Sequence, residues 1–417
     1  MAREREPGRG IGAHPLLVPY VVLAHVVILT VVFWRIYTSI FSDVPIYYDY
    51  ASKLLAGQVP YLDFAMEYPP AALVWFVIPR LVSHTVTQYY VAFRVEVVAA
   101  DLLVVFALNA IARRRGLDRA AVLIAYTVFV LTVGPIIGQD YDIFPAAVVV
   151  FALFFAVRDE WNAAAVMLGI GIATKLYPML LGPILALPLV RRRELRLLAR
   201  CVVVGCATIV MSVAPLLIAA PASILSMVRY HAARGIHVES TYGSLLVLAD
   251  KLRLTRVNID YNFASWNVSG AAAAALKPLT SLFLLAGVVT VYVAALRASV
   301  DDSSEDPASV ATWSTLALSV ALLTSKVLSP QYLIWLMPLV PLVAPSARRT
   351  VWPLFGLAGL ATYYIFPRHY MALVVSRDDL VVAALLLRNL VLVVMTLMLV
   401  RCSLALHTRA RPRVSSP

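Results

Sequence analysis

The stretch SDVPIYYDYASKLLAGQVPYLDFAMEYPP, from Ser42 to Pro70, places acidic and aromatic side chains directly after the first long apolar segment of the chain. Its acidic residues are Asp43, Asp49, Asp63 and Glu67, and five tyrosines accompany them. Apolar positions four residues apart predict a short amphipathic helix from Ile46 to Ala56, which Gly57 ends. A helix of this kind is typical of a membrane interface. The rest of the chain reads as a scaffold around this stretch.

Composition places the chain among membrane proteins. Of its 417 residues, 61% are hydrophobic and only 14% are charged, and the mean hydropathy is +0.84. Soluble domains carry about 25% charged residues. The net charge of +12 is therefore read as a signal of membrane topology, since basic residues collect in cytoplasmic loops. No nucleic-acid motif accompanies that charge, and no nucleic-acid partner is predicted.

The hydropathy pattern predicts an all-α, polytopic integral membrane protein with about twelve transmembrane helices. Residues 1–15 are predicted to be cytoplasmic, residues 16–401 to form the membrane domain, and residues 402–417 to form a cytoplasmic basic tail. Arginine clusters at helix ends mark the inner side. Two large loops, about 38–87 and 220–270, then lie outside. Interfacial helices are predicted in the first of these loops, because residues 71–82 are apolar but too few to span a bilayer.

On this topology, the polar residues that are not topology signals collect at the outer face. They are Asp43, Glu67, Gln139, Asp140, Asp142, Lys175, His231, Arg234, His237, Glu239, Lys326, Gln331, Arg368 and His369. The cytoplasmic loops are short, and the sequence has no GxxxxGK phosphate-binding loop, so a nucleotide-driven reaction on the inner side is not expected. An enzyme acting outside would draw on a substrate already in the membrane, such as a lipid-linked one.

Several motifs carry a family resemblance. The spacing of Asp43 and Tyr47 after the first apolar segment resembles the polytopic glycosyltransferases of the GT-C superfamily. Four further motifs, in this order, look like glycosyltransferase family 87: GQVPYLDFAMEYPP at Gly57–Pro70, GQDYD at Gly138–Asp142, GIGIATKLYP at Gly169–Pro178 and SPQY at Ser329–Tyr332. That family includes polyprenol-phosphate-mannose-dependent α-mannosyltransferases. The chain departs from some relatives, which have histidines where Gln331 and Tyr332 follow the serine-proline pair.

The resemblance implies a lipid-phosphate sugar donor, an active site on the outer face and inversion at the anomeric carbon. Asp43 matches the catalytic aspartate of the family, the general base on the acceptor hydroxyl. Inverting transfer also needs cations to stabilise the leaving phosphate. Lys175, Lys326 and Arg234 are predicted for that task. The residues predicted to contact sugar or acceptor are Glu67, Gln139, Asp140, Tyr47, His231, His237 and Gln331.

Each of these assignments has a plainer alternative. Asp43 is also a favoured residue for capping the helix that follows it. The plainer interpretation of Lys175 is a side chain that reaches from an apolar helix end to the membrane interface. His231, His237 and Glu239 have a spacing that a metal site could use, although no third histidine lies near them. Neither a metal nor another cofactor is predicted.

The predicted function is transfer of a sugar, most plausibly mannose, from polyprenyl phosphate to an envelope glycolipid or polysaccharide. The site is expected on the outer side of a bacterial inner membrane, where membrane lipids are further partners. Arabinofuranose is the alternative donor sugar. A lipid or solute transporter, or a flippase, is the rival class. Such proteins commonly show internal repeats and polar sites at mid-membrane, and the sequence shows no repeat between its halves.

Overall fold

The computed structural model describes residues 15–33, 42–301 and 307–410. The predicted cytoplasmic N-terminus as far as residue 14, the last part of the first predicted span and the end of the basic tail lie outside those residues. Within them the chain is almost entirely helical, and one small antiparallel sheet is present.

The helices follow one another with short connections. They are α1 (Leu17–Val27), α2 (Val44–Leu55), α3 (Ala72–Leu81), α4 (Val86–Arg114), α5 (Arg119–Val133), α6 (Ile143–Val157), α7 (Trp161–Thr174), α8 (Gly182–Arg191), α9 (Leu195–Ala219), α10 (Ser223–Ala233), α11 (Thr241–Lys251), α12 (Ala271–Asp301), α13 (Pro307–Thr324), α14 (Leu333–Leu336), α15 (Pro345–Tyr363) and α16 (Asp379–Ala410). The strands are β1 (Ile236–His237), β2 (Asn258–Asn262) and β3 (Ser265–Ser269). The predicted helix of the opening stretch is confirmed as α2.

The all-α, polytopic membrane architecture is confirmed. By length and composition, five helical segments of the described chain can cross a membrane: Val86–Arg114, Arg119–Gly138, Leu195–Ala219, Ala271–Ala298 and Asp379–Leu404. Shorter apolar helices stand beside them, including α6, α7 and α13. The figure of about twelve crossings stays a prediction.

The helices differ sharply in how much of their surface the protein covers. Most residues of α6 are buried, because α4 and α7 pack against it, so α6 lies at the centre of the bundle. Only Leu216 is buried among the 25 residues of α9. An apolar helix with so little protein contact is one whose side chains face lipid.

One apolar segment late in the chain is not a continuous helix. Leu333–Ala344 is broken into the single turn α14 and a 3-10 turn at Val340–Leu342. Pro338 and Pro341 explain the break, because proline lacks the backbone N–H that a helix interior needs and clashes with the preceding turn. The segment is nevertheless buried along its whole length, so its hydrophobicity reflects burial in the protein.

The segment between α10 and α12 contains the sheet, which the sequence did not predict. Its strand order is β1-β3-β2, with both pairs antiparallel. A second apolar cluster joins this sheet to α11 and α16 through residues that include Val238, Val247, Val268 and Leu385. The sheet and α11 are therefore held on the helical bundle by a core of their own.

Candidate active site

A cavity of about 390 Å³ lies where the loop before α2, the turn before α6, the end of α7 and the sheet meet. Its polar lining includes Asp43, Glu67, Asp140, Lys175, His231, Arg234, His237 and Gln331. Aromatic side chains supply much of the remaining wall. The structure therefore brings together residues that lie almost 300 positions apart in the sequence.

Asp43 stands at the start of α2, but its carboxylate does not cap that helix. Its backbone N–H donates to the carbonyl of Gln139 at 3.3 Å, which ties the loop to the turn before α6. Its Oδ2 accepts a hydrogen bond of 3.1 Å from the hydroxyl of Tyr68. The carboxylate thus faces the cavity and is not used as a helix cap.

Asp140 is buried beside Asp43, and the two carboxyl groups are hydrogen-bonded to each other. Carboxylate oxygens only accept, so this contact requires one proton between the two groups. Burial, followed by the charge of Glu67, raises the pKa of Asp43 to about 6, and the hydrogen bonds from Asp140 and Tyr68 limit that rise. Burial and the charges of Asp43 and Asp142 raise the pKa of Asp140 well above its usual range. The hydrogen bond between them lowers the pKa of Asp43 and raises that of Asp140, so it favours Asp43 as the ionised carboxylate and Asp140 as the protonated partner.

Lys175 forms an ion pair with Asp142, at 2.6 Å between Nζ and Oδ1. The indole N–H of Trp335 donates to the same carboxylate oxygen. The ammonium also lies over the rings of Tyr141, Trp335 and Tyr332, at 4.5, 5.2 and 5.6 Å from their centroids. These contacts go beyond a side chain that merely reaches the interface, and they leave most of the charge of Lys175 compensated within the protein.

Glu67 connects the opening stretch to α10. Its Oε2 accepts a 3.0 Å hydrogen bond from the hydroxyl of Tyr230. Its backbone carbonyl lies 3.1 Å from Nε2 of His231, so that nitrogen carries the proton and donates. Burial lowers the pKa of His231 below its ordinary value, which keeps the imidazole neutral at pH 7.

Arg234 and Lys326 behave differently, although the sequence predicted one role for both. Nε of Arg234 donates to Ser265 Oγ at 3.2 Å, and the side chain lines the cavity. Nζ of Lys326 instead donates to the carbonyls of Ala232 and Arg234, each at 2.9 Å. Burial and the neighbouring cations Lys277 and Arg234 lower the pKa of Lys326 to about 8. Lys326 therefore caps the carboxyl end of α10 and does not line the cavity, whereas Arg234 does.

The remaining predicted residues divide in the same way. His237 lines the cavity, and its Nδ1 donates to the carbonyl of Leu328 at 2.9 Å, so Nε2 is left as an acceptor. Gln331 also lines the cavity and accepts from the hydroxyl of Ser329 at 2.6 Å. Gln139 is buried behind the wall and contributes its backbone carbonyl.

Tyr47 is fully buried, and its ring stacks on Phe76 with the centroids 4.3 Å apart. It does not line the cavity, so the predicted contact between Tyr47 and a sugar has no support in this geometry. The neighbouring aromatic rings explain its position, because they form a packed cluster in which Tyr47 also touches Tyr68 and Tyr141.

Several residues of the wall were not singled out in the sequence. Tyr68 holds Asp43, Trp335 holds Asp142, and Tyr261 and Trp266 stand on the sheet. Tyr68 directly follows Glu67 in the opening stretch, so its position was a usable signal. Trp335 lies in an apolar segment, where its hydrophobicity was expected. Tyr261 and Trp266 do not belong to any repeating pattern of apolar residues.

Glu239 does not form a common site with His231 and His237. Its carboxylate accepts from Arg388 of α16, and both side chains are fully buried. Arg388 also donates to the backbone carbonyl of Glu239 at 2.6 Å. The spacing of His231, His237 and Glu239 therefore does not correspond to a common set of ligands among the described residues.

Comparison with known proteins places the chain in a family. The model of glycosyltransferase family 87 matches residues 66–330, more than half of the sequence. The solved structure of ArnT from Cupriavidus metallidurans in the apo state is similar at 14% identity and a TM-score of 0.49, covering 94% of this chain and 77% of that one. That likeness is too remote to bear on the chemistry, and no curated protein matches. The chain belongs to glycosyltransferase family 87, as its motifs implied, and is a multi-pass membrane glycosyltransferase.

Proposed function

We propose that this enzyme moves mannose from polyprenyl phosphate to an envelope glycolipid or glycan, with inversion, on the outer side of the bacterial inner membrane. The observation that carries the proposal is the pair of Asp43 and Asp140 in a cavity that Arg234 also lines. The cavity thus offers a base and a cation to the same bound substrate. Asp43 lies outside the stretch that matches the family, so its role rests on this geometry and on the resemblance of its spacing.

The transfer is a single displacement in which Asp43 acts as general base. A hydroxyl of the acceptor attacks the anomeric carbon while its proton passes to the carboxylate of Asp43. A new glycosidic C–O bond forms, and the bond from the anomeric carbon to the phosphate oxygen breaks. The electron pair of that bond leaves with the polyprenyl phosphate. A phosphate is a good leaving group, so the step needs no general acid.

Arg234 is the principal ligand that we assign to the leaving phosphate. A guanidinium presents a planar fork of donors that matches phosphate oxygens. Nε of Arg234 is bonded to Ser265, which fixes the orientation of that fork at the cavity wall. Lys175 contributes less charge, because Asp142 compensates it, and we assign it to the edge of the phosphate site. We assign Lys326 an indirect role in the phosphate site, because it caps the end of α10 that leads into Arg234.

The proposal requires no metal ion or other cofactor. The ammonium of Lys175 lies 2.6 Å from Asp142 and occupies the side of that carboxylate where a cation would bind. The proton shared by Asp43 and Asp140 likewise reduces the negative charge of these two carboxyl groups.

The distribution of charge over the helix ends supports the proposed outer location. The cavity lies near the first turn of α6 and the last turn of α7. Arg158 follows the opposite end of α6, and Arg113 and Arg114 end α4. Because basic clusters mark the cytoplasmic side, the cavity belongs at the other side of the membrane.

Mannose is proposed because of the family resemblance, and arabinofuranose stays the alternative donor sugar. The acceptor class, a glycolipid or polysaccharide, follows from the location outside the cell membrane. The rival classes of transporter and flippase lose support, since the family match is to glycosyltransferases. Radiolabelled polyprenyl phosphate carrying each sugar, supplied to membranes that contain the enzyme, separates these possibilities.

The decisive variant is Asp43→Asn, which keeps the shape of the side chain and removes the base. Loss of a general base typically lowers the rate by a factor of about 10²–10⁴. We expect mannose transfer by the Asp43→Asn enzyme to fall by that factor. The matched control is Asp49→Asn, because Asp49 lies on the same helix, pairs with Lys53 and is half exposed away from the cavity. Transfer by Asp43→Asn at the wild-type rate would remove Asp43 from the reaction.

A further inference from the structure

The turn between β2 and β3 has an unusual backbone. Phe263 and Ala264 form a two-residue connection, and both have positive φ, 51° and 50°. Hairpin turns of this kind favour Asn-Gly, since a side chain destabilises the left-handed conformation. Two consecutive residues with side chains therefore hold a strained conformation at the wall of the cavity, and strain of this kind collects at functional sites.

Specific contacts hold the strained turn in place. The side-chain amide nitrogen of Asn267 lies within 2.8–3.2 Å of four oxygens of Asn262 and Ser265. The ring of Phe263 packs against Tyr230, with the centroids 5.3 Å apart, and Tyr230 in turn donates to Glu67. The hairpin is thus fixed relative to the acidic side of the cavity.

The hairpin presents two aromatic rings to the cavity. Tyr261 and Trp266 are direct cross-strand partners, with their ring centroids 5.3 Å apart. Both line the cavity that contains Asp43, yet 64% of Tyr261 is exposed. Burial, followed by the charges of Asp43 and Glu67, raises the pKa of Tyr261, so the phenol lies within the field of both carboxylates.

We infer that the Tyr261–Trp266 pair is the subsite that binds a neutral hexopyranose ring of the acceptor, an inference that rests on the proposed function. An aromatic pair offers apolar faces to the C–H face of a sugar ring, and the neighbouring carboxylates and Arg234 serve its hydroxyl groups. Tyr261 is 64% exposed and also lines the cavity, so a sugar ring can reach this face from outside the cavity. The donor needs no such platform at this position, since its phosphate is placed at Arg234 and its polyprenyl chain in lipid.

A plainer role for the pair is anchoring at the membrane interface, where tyrosine and tryptophan are enriched. Anchoring would require the rings to face lipid. Both rings instead border the cavity beside Ser265, the residue that fixes Arg234. An anchor also gives no reason for the strained turn.

The test compares Tyr261→Ala with Tyr261→Phe and with Tyr20→Ala in the full-length enzyme in detergent. Tyr20 is the matched control, because it is 63% exposed on α1 and lies away from the cavity. Two readouts are needed. One is the KM for a synthetic acceptor, octyl α-mannoside, and for the polyprenyl-phosphate-mannose donor. The other is saturation-transfer NMR with mannotriose in the absence of donor, which needs no turnover.

We expect Tyr261→Ala to raise the acceptor KM by about tenfold, while the donor KM changes less than about twofold, because one ring contact is lost and tenfold corresponds to about 1.4 kcal/mol. The mannotriose signal should fall in Tyr261→Ala and persist in Tyr261→Phe and Tyr20→Ala. An unchanged acceptor KM, or a rise in the donor KM alone, would overturn the inference. If the wild-type enzyme transfers no sugar at all, the proposed function fails, and the NMR comparison alone then decides whether the hairpin binds sugar.

Discussion

At the scale of single residues, the site depends on how two carboxyl groups divide one proton. Asp43 and Asp140 are hydrogen-bonded, and burial raises both pKa values. A protonated Asp140 donates to Asp43 and keeps the pKa of the base near 6. Asp43 is then ionised at neutral pH and still basic enough to receive the proton of a hydroxyl group that is attacking the anomeric carbon.

Variants of Asp140 test this division of the proton. Because the base must be ionised, we expect kcat/KM of the wild-type enzyme to fall as the pH drops through about 6, a value that belongs to the pair. Asp140→Asn keeps a donor beside Asp43, so the acid limb should stay near pH 6. Asp140→Ala removes the donor, which raises the pKa of Asp43 and should move the limb upward by about one unit, the equivalent of one hydrogen bond.

The measurement is a pH–rate profile of mannose transfer for the three proteins. Equal shifts for Asp140→Asn and Asp140→Ala would show that Asp140 does not act as a donor. A profile that is flat between pH 5 and 8 in the wild type would contradict the role of Asp43 as the titrating base.

The sequence reached some of these residues and missed others for a physical reason. Asp43, Glu67 and Asp140 stand out because carboxylates are rare in an apolar chain. Their negative charge also separates them from the basic residues that mark the topology. Tyrosines do not stand out in the same way, since a tyrosine near a membrane is equally suited to packing, anchoring and hydrogen bonding. Tyr47 was therefore assigned to a sugar although it is packed against Phe76, while Tyr261 was passed over.

At the scale of elements, α10 is held to the cavity by its ends and one face. Tyr230 and His231 bond to Glu67, and its last carbonyls accept from Lys326 and Lys277. Lysines at the carboxyl end of a helix satisfy orphan carbonyls and interact favourably with its dipole. The helix thereby holds Arg234, the residue that follows it, at the cavity wall.

Substitution of the two cations by methionine separates binding from capping. Arg234→Met removes the proposed phosphate ligand, and we expect the donor KM to rise by about 10–100-fold, as for the loss of a charged hydrogen bond. Lys326→Met should change the donor KM by less than about fivefold while lowering the melting temperature. Lys277→Met is the matched control, because Lys277 donates to the carbonyl of Ala233 in the same helix end. Equal rises in donor KM for Arg234→Met and Lys326→Met, with no loss of stability, would restore Lys326 as a direct ligand.

Two elements show where hydrophobic patterns mislead. Residues 333–344 are apolar because they are buried in the protein. Their hydropathy suggests a helical span, but the prolines break the helix. The sheet was missed because its strands are short and the exposed strand β2 has little alternation. Its turn also lacks the Asn-Gly signal. Phe263 and Ala264 instead hold the left-handed conformation through contacts with residues that are distant in the sequence, such as that of Phe263 with Tyr230.

At the scale of the whole molecule, α16 joins the segment around the sheet and α11 to the helical bundle. Arg388, fully buried, donates to the side chain and the carbonyl of Glu239, and Asn389 lies within 3.4 Å of Glu239, Ser240 and Ser244 oxygens. Glu239 lies two residues after His237, so this contact fixes the part of the cavity wall that His237 forms. No local pattern around Glu239 indicates a partner 149 residues away.

Arg388→Met tests this joint. Removal of one partner leaves the other charge buried and unpaired, which typically costs about 3–5 kcal/mol. We expect a marked drop in the melting temperature in detergent. The double variant Glu239→Gln with Arg388→Met removes both charges and should recover part of the loss. Equal melting temperatures for the wild type and Arg388→Met would show that the joint does not stabilise the fold.

The class of the molecule was predictable from composition, because an apolar fraction of 61% with basic helix ends leaves few alternatives to a multi-pass membrane protein. The shape of the cavity was not predictable, since it depends on contacts between the opening stretch, the end of α7 and a sheet that no local pattern revealed. Those contacts bring Asp43, Arg234 and Tyr261 to one cavity.

The most direct measurement of the central claim is an experimental structure of the enzyme with a non-hydrolysable phosphonate analogue of polyprenyl-phosphate-mannose. We predict that the phosphonate lies against Arg234 and that the anomeric carbon stands between it and the carboxylate of Asp43, on the face opposite the leaving group. A phosphonate bound at the arginine-rich ends of the helices, or an anomeric carbon with Asp43 on the same face as the leaving group, would contradict the account.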